Sequence, residues 1–191
     1  MQTLRPVDPS TATGQAKDLF TAFEQRLQRI PNMIRLLANS PSILDAYLRF
    51  NEAFASTKLT PKLRGLITTV VSELNGCNYT LSVACALGRR EGLTDDELMS
   101  ARLGQSADPK TREALSFVTN VVRERGHISA AEVEKLREAG FDDQEIVEII
   151  ALIALNIFRN YFNLVAVTEV DFPLVTANLT EREALVSSHV N

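Results

Sequence analysis

The chain has 191 residues, 45% of them apolar and 23% charged, with a formal charge of −4; this implies one globular domain and excludes a disordered chain. Two cysteines exclude a disulfide scaffold, and two histidines, His127 and His189, leave too little for a histidine-based metal centre. No basic run offsets the acidic balance, so nucleic acid and anionic membrane are not expected partners.

In chain order, Met1–Pro6 lacks the apolar region of a signal peptide. The longest uncharged stretch, Leu74–Gly88, has 15 residues and includes Asn, Thr and Ser. A membrane span needs about 20 mostly apolar residues. The expectation is a soluble, cytoplasmic protein with reduced cysteines. The punctuation is helical almost throughout. Ser40-Pro41, Thr60-Pro61 and Asp108-Pro109 each place a capping residue before a proline at the first helical position. Thr94-x-x-Glu97, Ser129-x-x-Glu132 and Thr180-x-x-Glu183 match the capping box, and Asp142-x-x-Glu145 is a close relative of it. Gly92, Gly126 and Gly140 follow charged last turns, as helix-ending glycines do. The predicted helices are 14–29, 31–38, 41–57, 60–75, 77–91, 94–103, 109–125, 129–139 and 142–168. No segment reads as a strand. The fold class is all-α, a single domain over residues 1–191 with its core at about 14–170 and an arm at each end. Those arms are expected to be ordered by a partner subunit.

The last long helix is apolar on nearly every side. Its polar residues Glu148, Asn156, Arg159, Asn160 and Asn163 fall in one stripe about 120° wide. That stripe is either a wet or subunit-facing edge of a central helix, or the lining of a polar pocket.

The segment Leu59–Ala84 contains Glu73-Leu-Asn-Gly-Cys-Asn-Tyr-Thr80 across a turn. Further landmarks, Pro31-Asn32 and Ser40-Pro41 before it and Gly92-Leu93-Thr94, Asn156–Ala166 and Thr168-Glu-Val-Asp-Phe-Pro173 after it, have matching order and spacing. Over about residues 5–175 the chain resembles the carboxymuconolactone decarboxylase family, in its alkyl hydroperoxidase D-like branch. The resemblance implies a helical bundle assembled as a homo-oligomer (trimer, hexamer or dimer), a peroxidase label, and no cofactor. It also implies a relay: a glutamate 12 residues before a first cysteine, a second cysteine three residues on, and a histidine four residues after that. In such a relay the thiolate attacks and the carboxylate and imidazole move its proton.

Only Cys77 of that set is present. Gly65 stands at the glutamate position, Thr80 at the second cysteine and Ala84 at the histidine. Relatives often read Asn-His-Val-Ala where this chain has Asn163-Leu164-Val165-Ala166. Cys85 lies eight residues after Cys77, about 12 Å along a helix, so it cannot form a disulfide with it and reads as a small buried apolar residue. Glu73 reads as a base near the thiol, or as a helix-end or subunit-contact charge. Tyr79 either hydrogen-bonds in the pocket or packs at an interface. Cys77 is either a reactive lone thiol at a helix N-terminus or a half-buried relic. His127 reads as a solvated or capping residue, and His189 has no assigned role.

The replacements remove charge and volume, which implies a roomier, more apolar cavity beside Cys77, lined by Gly65, Glu73, Tyr79, Thr80, Ala84, Asn160 and Leu164. Three functions compete. The first is a one-cysteine peroxidase-like oxidoreductase acting on a small hydroperoxide. The second is a degenerate relative that binds a small apolar ligand. The third, lactone decarboxylase-type chemistry, relies on acid–base groups absent here.

Overall fold

A computed structural model describes residues 2–27 and 29–177. The helices are α1 (Gly14–Leu27), α2 (Asn32–Leu37), α3 (Pro41–Ala53), α4 (Pro61–Leu74), α5 (Asn78–Arg90), α6 (Asp95–Arg102), α7 (Pro109–Arg123), α8 (Ala130–Glu138) and α9 (Asp143–Ala166), with a 3₁₀ turn at Phe54–Ser56. No strand occurs among the described residues. The capping box at Thr180 and Glu183, His189 and the C-terminal arm beyond residue 177 lie outside them.

Local signals set most boundaries. The Thr60 hydroxyl accepts from the Leu63 amide, and full capping boxes close at Thr94–Glu97, Ser129–Glu132 and Asp142–Glu145. Asp108 caps α7 through the Thr111 amide. Ser40 occupies its expected N-cap position without a side-chain bond. α3 ends earlier than expected, because the chain tightens to 3₁₀ at Phe54 and Thr57 closes the turn on the Phe54 carbonyl.

α4 is the hub, packed on α5, α6, α7 and α9. Its Ile67, Val70 and Val71 meet Leu81 of α5, Leu115 and Val118 of α7, and Ile149 and Ile153 of α9 in the main core. Each such side chain is worth about 1.5–3 kcal/mol once buried. A second cluster forms from Phe20 of α1, Met33, Ile34 and Leu37 of α2, Leu44 of α3, and Cys77 and Tyr79.

Two expectations are corrected here. The polar stripe of α9 is largely an inside face. Asn156, Asn160 and Asn163 are buried, while Glu148 and Arg159 are half-buried. Asn156 Nδ2 donates to Thr68 Oγ1 at 3.1 Å, Asn160 Nδ2 to the Val71 carbonyl at 3.2 Å, and Ser72 Oγ to Asn160 Oδ1 at 3.3 Å. The exposed face is instead apolar, running through Val147, Ile150, Phe158, Tyr161 and Val165. By length and composition α9, at 24 residues, reaches what a membrane-spanning helix needs, against the expectation that no segment does. Its asparagines, bonded to α4, mark it as the central helix of a bundle.

The N-terminal arm, expected to be ordered by a partner subunit, is hydrogen-bonded to its own chain. Thr3 N donates to the Ala166 carbonyl at 3.1 Å and Val7 N to that of Arg35 at 3.0 Å. Asn39 Nδ2 donates to the Arg5 carbonyl at 2.8 Å.

Candidate functional site

The turn after α4 positions the thiol. Gly76 takes φ of +66°, a conformation costly for a side chain with Cβ. It lets Gly76 N reach the Glu73 carbonyl at 3.0 Å and Cys77 N the Ser72 carbonyl at 2.9 Å, a Schellman closure of α4. Cys77 thereby becomes the N-cap of α5. It is 1% exposed, enclosed by the second cluster from α1, α2 and α3.

Its polar surroundings are sparse. Cys77 Sγ donates to Thr80 Oγ1 at 3.3 Å, and Asn163 Nδ2 donates to the same oxygen at 3.3 Å and to Met33 Sδ at 3.3 Å. With both amide hydrogens engaged, Asn163 Oδ1 is left buried without a partner, as are Thr168 Oγ1 and Asp171 Oδ1. A buried acceptor in that state costs about 1–3 kcal/mol. Burial pushes the Cys77 thiol up; the Thr80 hydroxyl and the amides of Thr80 and Tyr79 favour the thiolate but do not outweigh it. The helix N-terminus therefore does not deliver the depressed pKa of a reactive cysteine.

The other expected residues scatter. Tyr79 is buried within its own chain, its hydroxyl accepting from Met33 N at 3.2 Å and its ring meeting Phe172 edge-on at 6.3 Å. Burial, with the Asp171 carboxylate beside it, pushes its phenol far up. Thr80 stands at the thiol. Glu73 is not a base for it: the carboxylate is buried against Arg102, Nε to Oε2 at 2.7 Å. Gly65 does not border the thiol either. A Cβ there would lie 3.3 Å from Leu93 Cδ1 and 3.9 Å from Gly88 Cα. Gly88 is eleven residues beyond Cys77, about 16 Å along α5. Gly65 therefore serves the close crossing of α4 and α5. Asn160 bonds to α4, and Leu164 is exposed, so neither lines a cavity at the thiol. Ala84 is buried. Cys85 sits in the main core with its thiol pushed up by burial, as expected of a small apolar residue, and both cysteines are unbridged. His127 is exposed.

Among the described residues the roomier cavity beside Cys77 is not formed: Leu93 fills the space at Gly65, and Cys77, 1% exposed, is packed in one cluster with Phe20, Met33 and Tyr79. A cleft of about 340 Å³ opens elsewhere, between Lys62, Leu63, Leu66, Leu93, Glu97 and Asp108. Among the described residues no three His, Cys, Asp or Glu side chains come together to hold a metal. Sequence reasoning missed Met33 and Arg102 altogether. It noted Asn163 in the stripe and in the Asn163–Ala166 match to the family but gave it no place at the thiol, although three asparagines at i, i+4 and i+7 on an apolar helix were the available signal.

A thiol with a raised pKa is expected to resist reagents. In the native protein Cys77 should react with a disulfide reagent at least tenfold more slowly than in the unfolded chain, with a half-point above the ordinary thiol value of about 8.5. Because the folded pKa is the higher one, its stability contribution is complete below the unfolded pKa and falls as pH rises from there through the folded value. Rates measured against pH for the native protein and for Cys77→Ser check this; a half-point below 8 contradicts it.

Residues 41–107 match the model of the carboxymuconolactone decarboxylase family. No curated protein matches the chain. Several solved structures do. The chain is similar to a peroxidase-related protein with an alkylhydroperoxidase AhpD core from Ralstonia eutropha JMP134, at 21% identity and a TM-score of 0.79 over 89% of this chain and 92% of that one. It is similar to a peroxidase-related protein from Silicibacter sp. TM1040, at 21% identity and 0.76 over 88% and 94%. A cysteine-to-alanine variant of the debrominase Bmp8, solved in complex with 2,3,4-tribromopyrrole, matches at 21% identity and 0.76 over 98% and 97%. At these identities the likeness is one of fold.

Proposed function

From a chain that belongs to the carboxymuconolactone decarboxylase family and carries the alkyl hydroperoxidase D-like fold, we propose a protein that binds a small apolar molecule beside a protonated Cys77 and does not turn over hydroperoxides. The observation that carries this reading is the state of the thiol. It is buried, its pKa is raised, and Thr80 and Ala84 stand where the relay would have a cysteine and a histidine. Peroxide attack needs the thiolate. Acid–base groups usually contribute about 10²–10⁴-fold. Both are wanting at this site.

The walls suit an apolar guest. Cys77 shares one buried cluster with Met33, Phe20, Leu37 and Tyr79. Met33 is unbranched and adaptable, and in this reading the ligand enters by displacing its side chain. The debrominase structure supports the reading, since a small halogenated ring is bound in a protein of this fold. The test pairs calorimetric titration with 2,3,4-tribromopyrrole and a peroxide-consumption assay on the parent and Cys77→Ser. Saturable binding with peroxide loss equal in both proteins is expected. Peroxide consumption that depends on Cys77 and an added thiol would overturn the reading in favour of a one-cysteine peroxidase. Lactone decarboxylase-type chemistry ranks last, for want of acid–base groups at the thiol.

The chain is also proposed to self-associate. The apolar face of α9, with Val147 65% and Val165 73% exposed, is larger than a lone small domain leaves to water. Light scattering at micromolar concentration should give a multiple of 21.1 kDa; a monomer contradicts it.

A further inference from the structure

We infer that the ligand of this site carries one neutral hydrogen-bond donor, an N–H or O–H on an otherwise apolar ring, and that Asn163 Oδ1 accepts it. The inference rests on the binding reading just given and adds the chemical class. Asn163 is 3% exposed, and its amide is half used: Nδ2 donates to Thr80 Oγ1 and to Met33 Sδ, while Oδ1 has no partner. Thr80 Oγ1 accepts from both Cys77 and Asn163, and among the described residues no hydroxyl or amide donates to Asn163 Oδ1.

One of the two groups bonded to the Asn163 amide is the Met33 side chain, the flexible wall of the site. A guest that displaces Met33 breaks only the weak Nδ2–Sδ bond and arrives at the Asn163 amide, whose open Oδ1 is part of the same planar group. A guest with a donor fills the acceptor that the folded chain leaves open; one without it must bury that acceptor still unmet. Of the other residues in the cluster, Phe20 and Leu37 are apolar, and the Tyr79 hydroxyl accepts from Met33 N and lies beside the Asp171 carboxylate. A charged donor is disfavoured there, since an ammonium would lose its hydration among apolar side chains.

The experiment compares two matched probe pairs on the full chain by calorimetry: pyrrole with N-methylpyrrole, and 2,3,4-tribromopyrrole with its N-methyl derivative. The N–H member of each pair should bind about tenfold more tightly. In Asn163→Leu, shown to be folded by circular dichroism, the ratio should fall to about one while the N-methyl probes still bind. Equal affinity of the paired probes for the parent protein overturns this inference and leaves apolar binding standing. Tighter binding of the N-methyl members overturns it as well. Failure of all four probes to bind overturns both readings. Should Asn163→Leu fail to fold, the nitrogen-15 shift of the Asn163 side chain on adding pyrrole, absent with N-methylpyrrole, replaces it; no difference between the two contradicts the inference.

Discussion

Replacing Arg102 by alanine is expected to destabilise the protein by about 3–5 kcal/mol, the largest loss foreseen for any charged residue described. Arg102 lies in the last turn of α6 and is itself nearly buried, its side chain 9% exposed and that of Glu73 0%. Its Nε meets Glu73 Oε2 at 2.7 Å, and its Nη2 donates to the Thr176 carbonyl at 2.6 Å. One guanidinium thus neutralises a core carboxylate on α4 and pins the segment after α9. A neighbouring pair of bonds does the same: Val175 N donates to Ser82 Oγ and Ala177 N to Asn78 Oδ1, both at 2.9 Å. Removing Arg102 leaves a desolvated carboxylate without its cation, a far larger penalty than the net worth of the pair. Urea denaturation of the parent and Arg102→Ala measures it. Arg102→Lys should recover only part, since an ammonium is a point charge that does not span both partners in the geometry of the planar fork. A loss under about 1 kcal/mol for Arg102→Ala, within the range of exposed ion pairs, would show that water reaches the site.

Thr80→Cys is expected to convert an inert thiol into a disulfide. The Cys77 sulfur and the Thr80 oxygen are already 3.3 Å apart across the first turn of α5. A bonded pair of sulfurs needs about 2.05 Å and a modest change of rotamer. Mild oxidation should therefore give a chain lighter by two hydrogens with both introduced and native thiols blocked, where the parent forms no such bond. Peroxide reduction should rise little, because no acid–base group stands at the thiol, and such groups bring about 10²–10⁴-fold. Adding Ala84→His restores an imidazole at a buried alanine, at an overpacking cost of about 1–3 kcal/mol. Adding Gly65→Glu is expected to help neither, since the new side chain meets Leu93 beside Gly88. Mass analysis under non-reducing conditions and a peroxide assay with a dithiol donor separate these outcomes. A folded Thr80→Cys protein that stays reduced would contradict the placement of the two residues.

The helices and their ends were legible in the chain because the signals that make them are local. Thr94 and Glu97, Ser129 and Glu132, and Asp142 and Glu145 close their boxes within three residues, and the conformation of Gly76 depends only on its neighbours. The all-α class and the family likeness rest on that same local spacing. The candidate site was legible only as a list of positions along the sequence. Which of them meet was decided by the packing of segments far apart in the chain. Asn163 finds Thr80 across 83 residues and Met33 across 130; Asn156 finds Thr68 across 88. These partners turned the polar stripe of α9 inward, since an asparagine with a bonded amide can be buried and one without cannot be so cheaply. The apolar residues of α9 were left outside as a consequence. Glu73 likewise reads as a base four residues from Cys77, or as a helix-end or subunit-contact charge, until Arg102, 29 residues away, takes its carboxylate. Cys77 reads either as a helix-terminal nucleophile or as a half-buried relic until α1, α2 and α3 bury it. Desolvation, a property of the assembled fold, then outweighs the local helix terminus and keeps the proton on the sulfur.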